Sequence, residues 1–407
     1  MNKPELLAPA GNFEKMKMAL AYGADAVYLS GKRFGLRSGA DNFDQHELEQ
    51  AVGYAHNKGK RIYVTLNIIP HNDDLPGLED YIDNLKNIGV DAVIVSDPGV
   101  LTTVRDRAPN LELHLSTQAN CTNWRSCLFW KDHGVKRIIL ARELSLTEIG
   151  EISAKVPDDL HLEAFVHGAM CISYSGRCLL SNYMTYRDSN RGQCAHPCRW
   201  KYYIMEQKRP GEYYPVYEDE RGTHIFNSKD LCMIQHIPLM IKAGITSFKI
   251  EGRMKSGYYV ATVVKAYRHA IDEYFKNPDR YEFNDYWLEE IKKVSHRHFT
   301  TGFYFDKPGP FDQGYESSKY VRDYEFIGLV LKGNDSNGLV TIEQRNRFFV
   351  GDTIEVMGKS GRHFTQRIAS MWDSEGRPIT SAPHPQQIVK LVLDRPVEPL
   401  DIIRKEK

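Results

Sequence analysis

No stretch of this chain stays apolar for the roughly eighteen residues that a bilayer crossing takes, and neither end shows a lipidation motif, so nothing in it reads as a membrane protein. Net charge is absent too. Lys+Arg and Asp+Glu number 53 each, which excludes a global positive field and confines any nucleic-acid contact to a local patch. The opening MNKPELLAPAG has no apolar signal segment, so a cytoplasmic, reducing setting is expected. Hydrolase signatures are missing as well: there is no H-E-x-x-H zinc site and no G-x-S-x-G nucleophile elbow. His161 and His167 stand six apart on a strand-like run, which is not the helical pair a zinc peptidase needs. No glycine-rich dinucleotide loop follows the first apolar run, where LLAPAGN stands instead.

Cysteine is scarce, seven in 407 residues, yet four of the seven fall between Glu163 and Trp200. Cys171, Cys178, Cys194 and Cys198 are separated by six, fifteen and three residues, among Ser, Tyr, Arg, Asn, Gly and Pro rather than on an apolar periodic segment. That setting reads as loop and favours a soft-metal or cluster centre over packing cysteines, and the reducing compartment disfavours disulfides. Structural zinc usually has two to four residues between paired ligands, so the six-residue gap leans toward a [4Fe–4S] cluster, with zinc kept as the alternative. Cys121, Cys127 and Cys232 lie in apolar surroundings and are expected to be packing residues.

A 407-residue chain with ordinary soluble composition suits one barrel-sized domain plus a small one. A unit of short apolar strand, polar loop, amphipathic helix and closing glycine recurs at Gly23, Gly89, Gly134 and Gly244. Eight strands are predicted, at 5–9, 25–30, 61–67, 91–96, 112–117, 137–141, 161–166 and 247–251, the pattern of a TIM-like (β/α)₈ barrel spanning 1–295. A doubly wound open sheet is the alternative architecture. The interval 168–226 is a long insertion carrying the cysteines, 296–320 is read as a linker or arm, and 321–407, with several short strands, as a small β-barrel domain.

Barrel chemistry gathers where strands end. Those ends supply Asn67, Asp97, Gln118, Arg142, Glu143, Glu163, His167, Lys249, Glu251 and Arg253. From them we expect His167, Glu163 and Glu251 as catalytic groups, and Asn67, Gln118, Arg142, Lys249 and Arg253 as substrate-binding groups. Arginine suits a carboxylate because its planar fork makes two parallel hydrogen bonds. Between Arg177 and Arg209 seven basic residues, including Arg187, Arg191, Arg199 and Lys201, are interleaved with tyrosines and a tryptophan. That mixture suits phosphate contact and stacking on unpaired RNA bases.

The run EAFVHGAMCISYSGRCLLS, with Glu163, Phe165, Gly168, Cys171, Gly176, Cys178 and Ser181, resembles the signature of the collagenase-like "unassigned peptidase" family. GQCAHPCRW, NSKDLC, IEGRMKSGYYV and APHPQQ resemble the tRNA-hydroxylating branch of that family, and the similarity covers nearly the whole chain. The resemblance implies oxygen-independent 5-hydroxylation of a tRNA wobble uridine, with prephenate as co-substrate and an iron–sulfur cluster on the four cysteines. It leaves open whether a second family member joins as a subunit. Older naming of the family implies peptidase activity instead, and a structural-zinc RNA-binding protein is a third reading.

Overall fold

The structure, a computed structural model, describes residues 2–36, 40–171, 173–174, 177–200, 217–219, 222–224, 229–306, 320–336, 338–361 and 363–407, with backbone alone at 199, 217–219 and 222–224. The chain divides into two compact units, Met1–Leu288 with His296–Tyr320, and Glu289–Ser295 with Val321–Lys407. Among the described residues no helix is long and apolar enough to cross a membrane.

The first unit is a closed barrel of eight parallel strands: Glu5–Pro9, Ala26–Leu29, Arg61–Leu66, Ala92–Val95, Glu112–Leu115, Val135–Ile139, His161–Ala169 and Ser247–Ile250. Each pairs with the next, and the eighth pairs with both the seventh and the first, which closes the ring. Nearly every strand residue is buried, as expected of parallel strands packed on both faces. Gly23, Gly89, Gly134 and Gly244 all have left-handed φ (112°, 80°, 95° and 86°), so each stops a helix at small steric cost and returns the chain to the next strand. Helix starts are fixed by side-chain caps. Asp44 and Ser145 form capping boxes with Glu47 and Glu148, while Asp97 and Ser256 accept from backbone N–H groups of the first turn. The long helix Gly257–Lys276 covers the seam and buries Tyr259, Val263, Tyr267 and Ala270.

The seventh strand runs to Ala169, three residues beyond the expected end, so the cysteine-bearing insertion starts later than 168. The strand Asp230–Cys232 then pairs antiparallel with its last residues, and Phe299–Thr300 pairs parallel with Asp230–Leu231. Residues 296–306, expected in a linker, are therefore part of the barrel unit. The Tyr304 hydroxyl donates to the Phe165 carbonyl at 2.6 Å, and Arg297 pairs with buried Asp230 at 2.7 Å. Residues 307–319 of that stretch lie outside the described residues.

The C-terminal unit is an antiparallel sheet of seven strands built on Tyr324–Lys332 and Leu339–Gln344, with Ile402–Glu406 and Ile388–Val392 beside them. Alternation is strict in places: Val340 and Ile342 face its core, and Leu339 and Thr341 do not. The sheet also buries Arg404, whose guanidinium meets Glu290 and Glu355 at 2.5 and 2.8 Å. His363 and Lys293 complete that cluster, so its two carboxylates are already balanced by cationic partners.

Gly168 tests the seam. Its φ is +111°, and a Cβ there would sit 2.6 Å from the Glu251 carbonyl oxygen. Gly168→Ala is expected to cost about 1–3 kcal/mol through backbone strain, read as a lowered midpoint in denaturant unfolding. An unchanged midpoint would mean the seam relaxes freely.

Candidate functional site

The interior of the barrel is charged. Glu163 on the seventh strand is fully buried and accepts from Lys249 Nζ at 2.8 Å, Ser247 Oγ at 2.9 Å and Arg137 Nη1 at 3.2 Å. Arg137 also meets Glu5, which accepts in turn from the Tyr63 hydroxyl at 2.7 Å. Burial alone would raise the Glu163 pKa, but the facing Lys249 and Arg137 hold it down at about 2. For Lys249 burial wins over the attraction of Glu163, and its amine sits below the usual lysine range.

Above this network, at the C-terminal ends of the strands, opens a cavity of about 280 Å³. Its floor and walls take Tyr28, Thr65, Asn67, Ser116, Gln118, Arg142, Phe165, Lys249, Glu251, Arg253 and Lys255. Four of the charged groups are cationic and one, Glu251, is acidic, so the cavity favours a small anion. Asn67 is held by Leu36 N–H at 3.2 Å and Ser116 Oγ at 3.3 Å. Arg142 lies 3.9 Å over the Phe165 ring and donates to the Ala169 carbonyl at 2.6 Å. Its buried Nε and the buried Oε1 of Gln118 have no hydrogen-bond partner among the described residues, so both retain hydrogen-bonding capacity. Arg253 is buried and donates to Thr65 Oγ1 at 3.1 Å and to the Leu36 carbonyl.

All four predicted cysteines line this same cavity. None is disulfide-bonded; Cys171 is exposed and the others are half-buried. The loop that carries them is braced locally. Ser181 Oγ accepts from Ala195 N–H, Ser189 Oγ donates to the Cys178 carbonyl, and Cys194 Sγ accepts from His196 N–H at 3.4 Å. The Cys194 sulfur also lies 3.9 Å from His196 Nδ1.

The structure thus brings together Asn67, Gln118, Arg142, Lys249, Glu251, Arg253 and the cysteines. It places two expected catalytic groups elsewhere. Glu163 is the counter-ion beneath the cavity and does not line it. His167 is packed outside the barrel wall, its ring 5.6 Å from those of Tyr267 and Phe299 and 6.0 Å from Tyr259. Burial depresses its pKa to about 3, so it is neutral near pH 7. The reason is a register shift opposite Lys249/Ile250, where Phe165 pairs with Lys249 but His167 pairs with Ile250. The extra residue, Val166, turns His167 onto the opposite face from Glu163 and Phe165. Glu143 is not among the cavity residues, and Asp97 caps the helix Pro98–Arg107.

Of the expected RNA-contacting residues, Arg187 is exposed, whereas Arg191 is engaged with Asp74 at 2.6 Å and pins the cysteine loop to the third strand's loop. The Arg199 side chain and Lys201 lie outside the described residues. Tyr183 and Tyr186 are 84% and 91% exposed, an unusual state for two aromatics so close together, and both stand on this loop. Lys255 and Tyr320, which pack against each other at 4.1 Å in the cavity wall, were not anticipated. The IEGRMKSG run, in which Lys255 follows Arg253 by two, is the signal that held it.

A (β/α)₈ barrel whose mouth combines four thiols with a cation-lined cavity is therefore the class defined by fold and site. The family models of "Peptidase family U32", matching residues 11–313, and "Peptidase family U32 C-terminal domain", matching 322–404, place it further. The chain belongs to peptidase family U32. It is 47% identical over 405 residues, all of this chain and 95% of the relative, to "tRNA hydroxylation protein P1" of Bacillus subtilis. It is 40% identical to "tRNA hydroxylation protein P" of Escherichia coli, across 94% of this chain and 92% of that one. A "23S rRNA 5-hydroxycytidine C2501 synthase" of Escherichia coli is 39% identical over 66% of this chain and 39% of its own length.

Glu163→Gln tests the interior network. Removing the counter-charge leaves Lys249 and Arg137 short of a buried partner, and the expected cost is about 3–5 kcal/mol in unfolding free energy. Because the folded-state pKa lies near 2, below the ordinary 4.5, this carboxylate stabilises fully above that ordinary value and progressively less as pH falls toward 2. The variant should flatten that acid limb; an unchanged limb would contradict the assignment.

Proposed function

We propose that this chain is a tRNA-modifying enzyme that performs oxygen-independent, prephenate-dependent 5-hydroxylation of the wobble uridine. The observation that carries the reading is that four thiols and four cationic side chains line one cavity at the barrel mouth. The names of the full-length relatives support hydroxylation of tRNA as the activity class. Prephenate is a dicarboxylate. Arg142, Arg253 and Lys255 suit its two carboxylates, with Tyr28 and Phe165 as walls for its ring.

Cys171, Cys178, Cys194 and Cys198 would hold a [4Fe–4S] cluster. Four thiolates about 2.3 Å from one zinc would lie about 3.8 Å apart. Among the described residues, the one group of three or more ligand-type side chains within 4.8 Å of one another is Glu290, Glu355 and His363 of the C-terminal unit, so no three of these sulfurs converge that closely. When bound, such a cluster supplies one-electron chemistry. The protein's own part is to hold the anion with Arg142 and Arg253 and to offer Tyr183 and Tyr186 as stacking surfaces for bases of an RNA loop, beside Arg187. Such an enzyme works in the cytoplasm, where its tRNA is.

Peptide hydrolysis is the second reading, favoured by the family's name and by the Cys194–His196 contact. The two separate on one experiment. Anaerobically purified protein should be brown and iron-loaded, and Cys194→Ala should lose the visible absorbance together with hydroxylated uridine in tRNA nucleosides measured by mass spectrometry. A colourless variant with full modification would sink the cluster's role; peptide cleavage by the wild-type protein, lost in the variant with nucleosides unchanged, would favour hydrolysis.

Replacing both Tyr183 and Tyr186 by Ala should weaken tRNA binding about 30-fold or more at fixed salt, at about 1–3 kcal/mol of stacking for each of two bases. Affinity unchanged in a filter-binding titration would remove these rings from the RNA surface.

A further inference from the structure

Of the ionic network inside the barrel, Glu5, Arg137, Glu163 and Lys249, only Lys249 reaches the cavity. Its side chain rises from the eighth strand between the Glu163 carboxylate, 2.8 Å from Nζ, and the Tyr28 ring, whose centroid is 4.3 Å away. The residue is 4% exposed and lines the cavity, so its nitrogen is shielded from bulk water. The other cavity cations are Arg142, Arg253 and Lys255, which already outnumber the two carboxylates of a dicarboxylate. A fourth cation buried at the floor is superfluous as an anion clamp.

We propose that Lys249 is a covalent catalytic residue that forms an imine with the keto group of a 2-oxo acid bound in the cavity. The inference deepens the reading above and rests on it, because prephenate carries a 2-oxo acid side chain. The neutral amine adds to the carbonyl carbon and the carbonyl oxygen becomes a hydroxyl. That hydroxyl takes up a proton and leaves as water while the nitrogen lone pair forms the C=N bond. Overall, amine, ketone and one proton give a protonated imine and one water, with no change in oxidation state. Glu163 then faces an iminium as it faced the ammonium, so the charge pairing beneath the cavity is kept. Burial, which holds the amine below the usual lysine range, favours the nucleophilic form. The gain is an electron sink conjugated to the carbon next to the keto group.

The test is reductive trapping with the full chain. Protein is incubated with prephenate, or with pyruvate as the smaller 2-oxo acid, then treated with cyanoborohydride, digested and mapped by mass spectrometry; binding of prephenate is measured in parallel by equilibrium dialysis. The expected result is a reduced adduct, one 2-oxo acid per chain less one oxygen, on the peptide containing Lys249. It should persist in Lys276→Arg, a change at an exposed helix end outside the cavity, and vanish in Lys249→Arg. An adduct on Lys255, or no adduct while dialysis shows prephenate bound, overturns the covalent role and leaves the prephenate reading intact. Absence of binding in dialysis overturns both. The trapping readout needs neither tRNA nor turnover, so it does not depend on the cluster's activity.

Discussion

Two acids and two bases sealed inside a barrel are expensive to bury, and the structure tolerates them because each faces an opposite charge within hydrogen-bond reach. The four come from the first, sixth, seventh and eighth strands, which are consecutive around the ring and include the seam where the first strand meets the last. Lys249 sits opposite Phe165, and Ser247 lies opposite both Glu163 and Glu5, so the strand register and the ion pairing specify one another. A slip of one residue would turn the charges into the helix layer without partners. An apolar filling would close the same ring with no desolvation cost, so stability alone does not account for the charges. What they achieve beyond closure is to hold one amine, Lys249, at a fixed place in the cavity floor.

That constraint propagates upward. With the seam fixed, the eighth strand delivers Glu251, Arg253 and Lys255 in succession to the mouth, and Gly11 lets the first strand's loop pass against the Arg253 carbonyl, where a Cβ would stand 2.2 Å away. The seventh strand delivers the cysteine loop to the same place. Thiols and cations therefore meet because neighbouring strands end beside each other, which is how barrel sites are generally assembled.

Most of the scaffold was legible because parallel strands leave a plain record. Each of the eight strands falls within two residues of its predicted start, and the glycines at 23, 89, 134 and 244 have the left-handed φ that the helix-ending pattern requires. The cysteines were legible through chemistry, as thiols in a polar loop. His167 was misread for a geometric reason: two-residue alternation from Glu163 puts it inside, and only the register shift opposite Lys249/Ile250 turns it out. A bulge of one residue leaves no mark in composition. Glu163 was expected at the rim as a catalytic group, but its partners Lys249 and Arg137 are 86 and 26 residues away, and no local pattern reveals that its charge is already engaged. The stretch 296–306 reads as a linker because its strand is two residues long and draws its order from Asp230 and Phe165.

The family's peptidase name and the relatives' hydroxylation names ask different things of the same thiols. A nucleophilic cysteine needs a base beside it and open access to a peptide bond, and Cys194 with His196 offers a version of this. That account uses one thiol and leaves three others lining the cavity without a role, together with a cationic floor that suits no neutral peptide bond. The proposed hydroxylation of a pyrimidine with a dicarboxylate co-substrate would use all of them: thiols for a cluster, arginines for carboxylates, exposed tyrosines for bases. The four cysteines are exposed or half-buried at the rim while Lys249 and Arg253 are buried, so under the proposed reading a cluster and an anion would draw on different side chains. The reading that leaves the fewest buried charges and thiols idle is the one in which both are present at once.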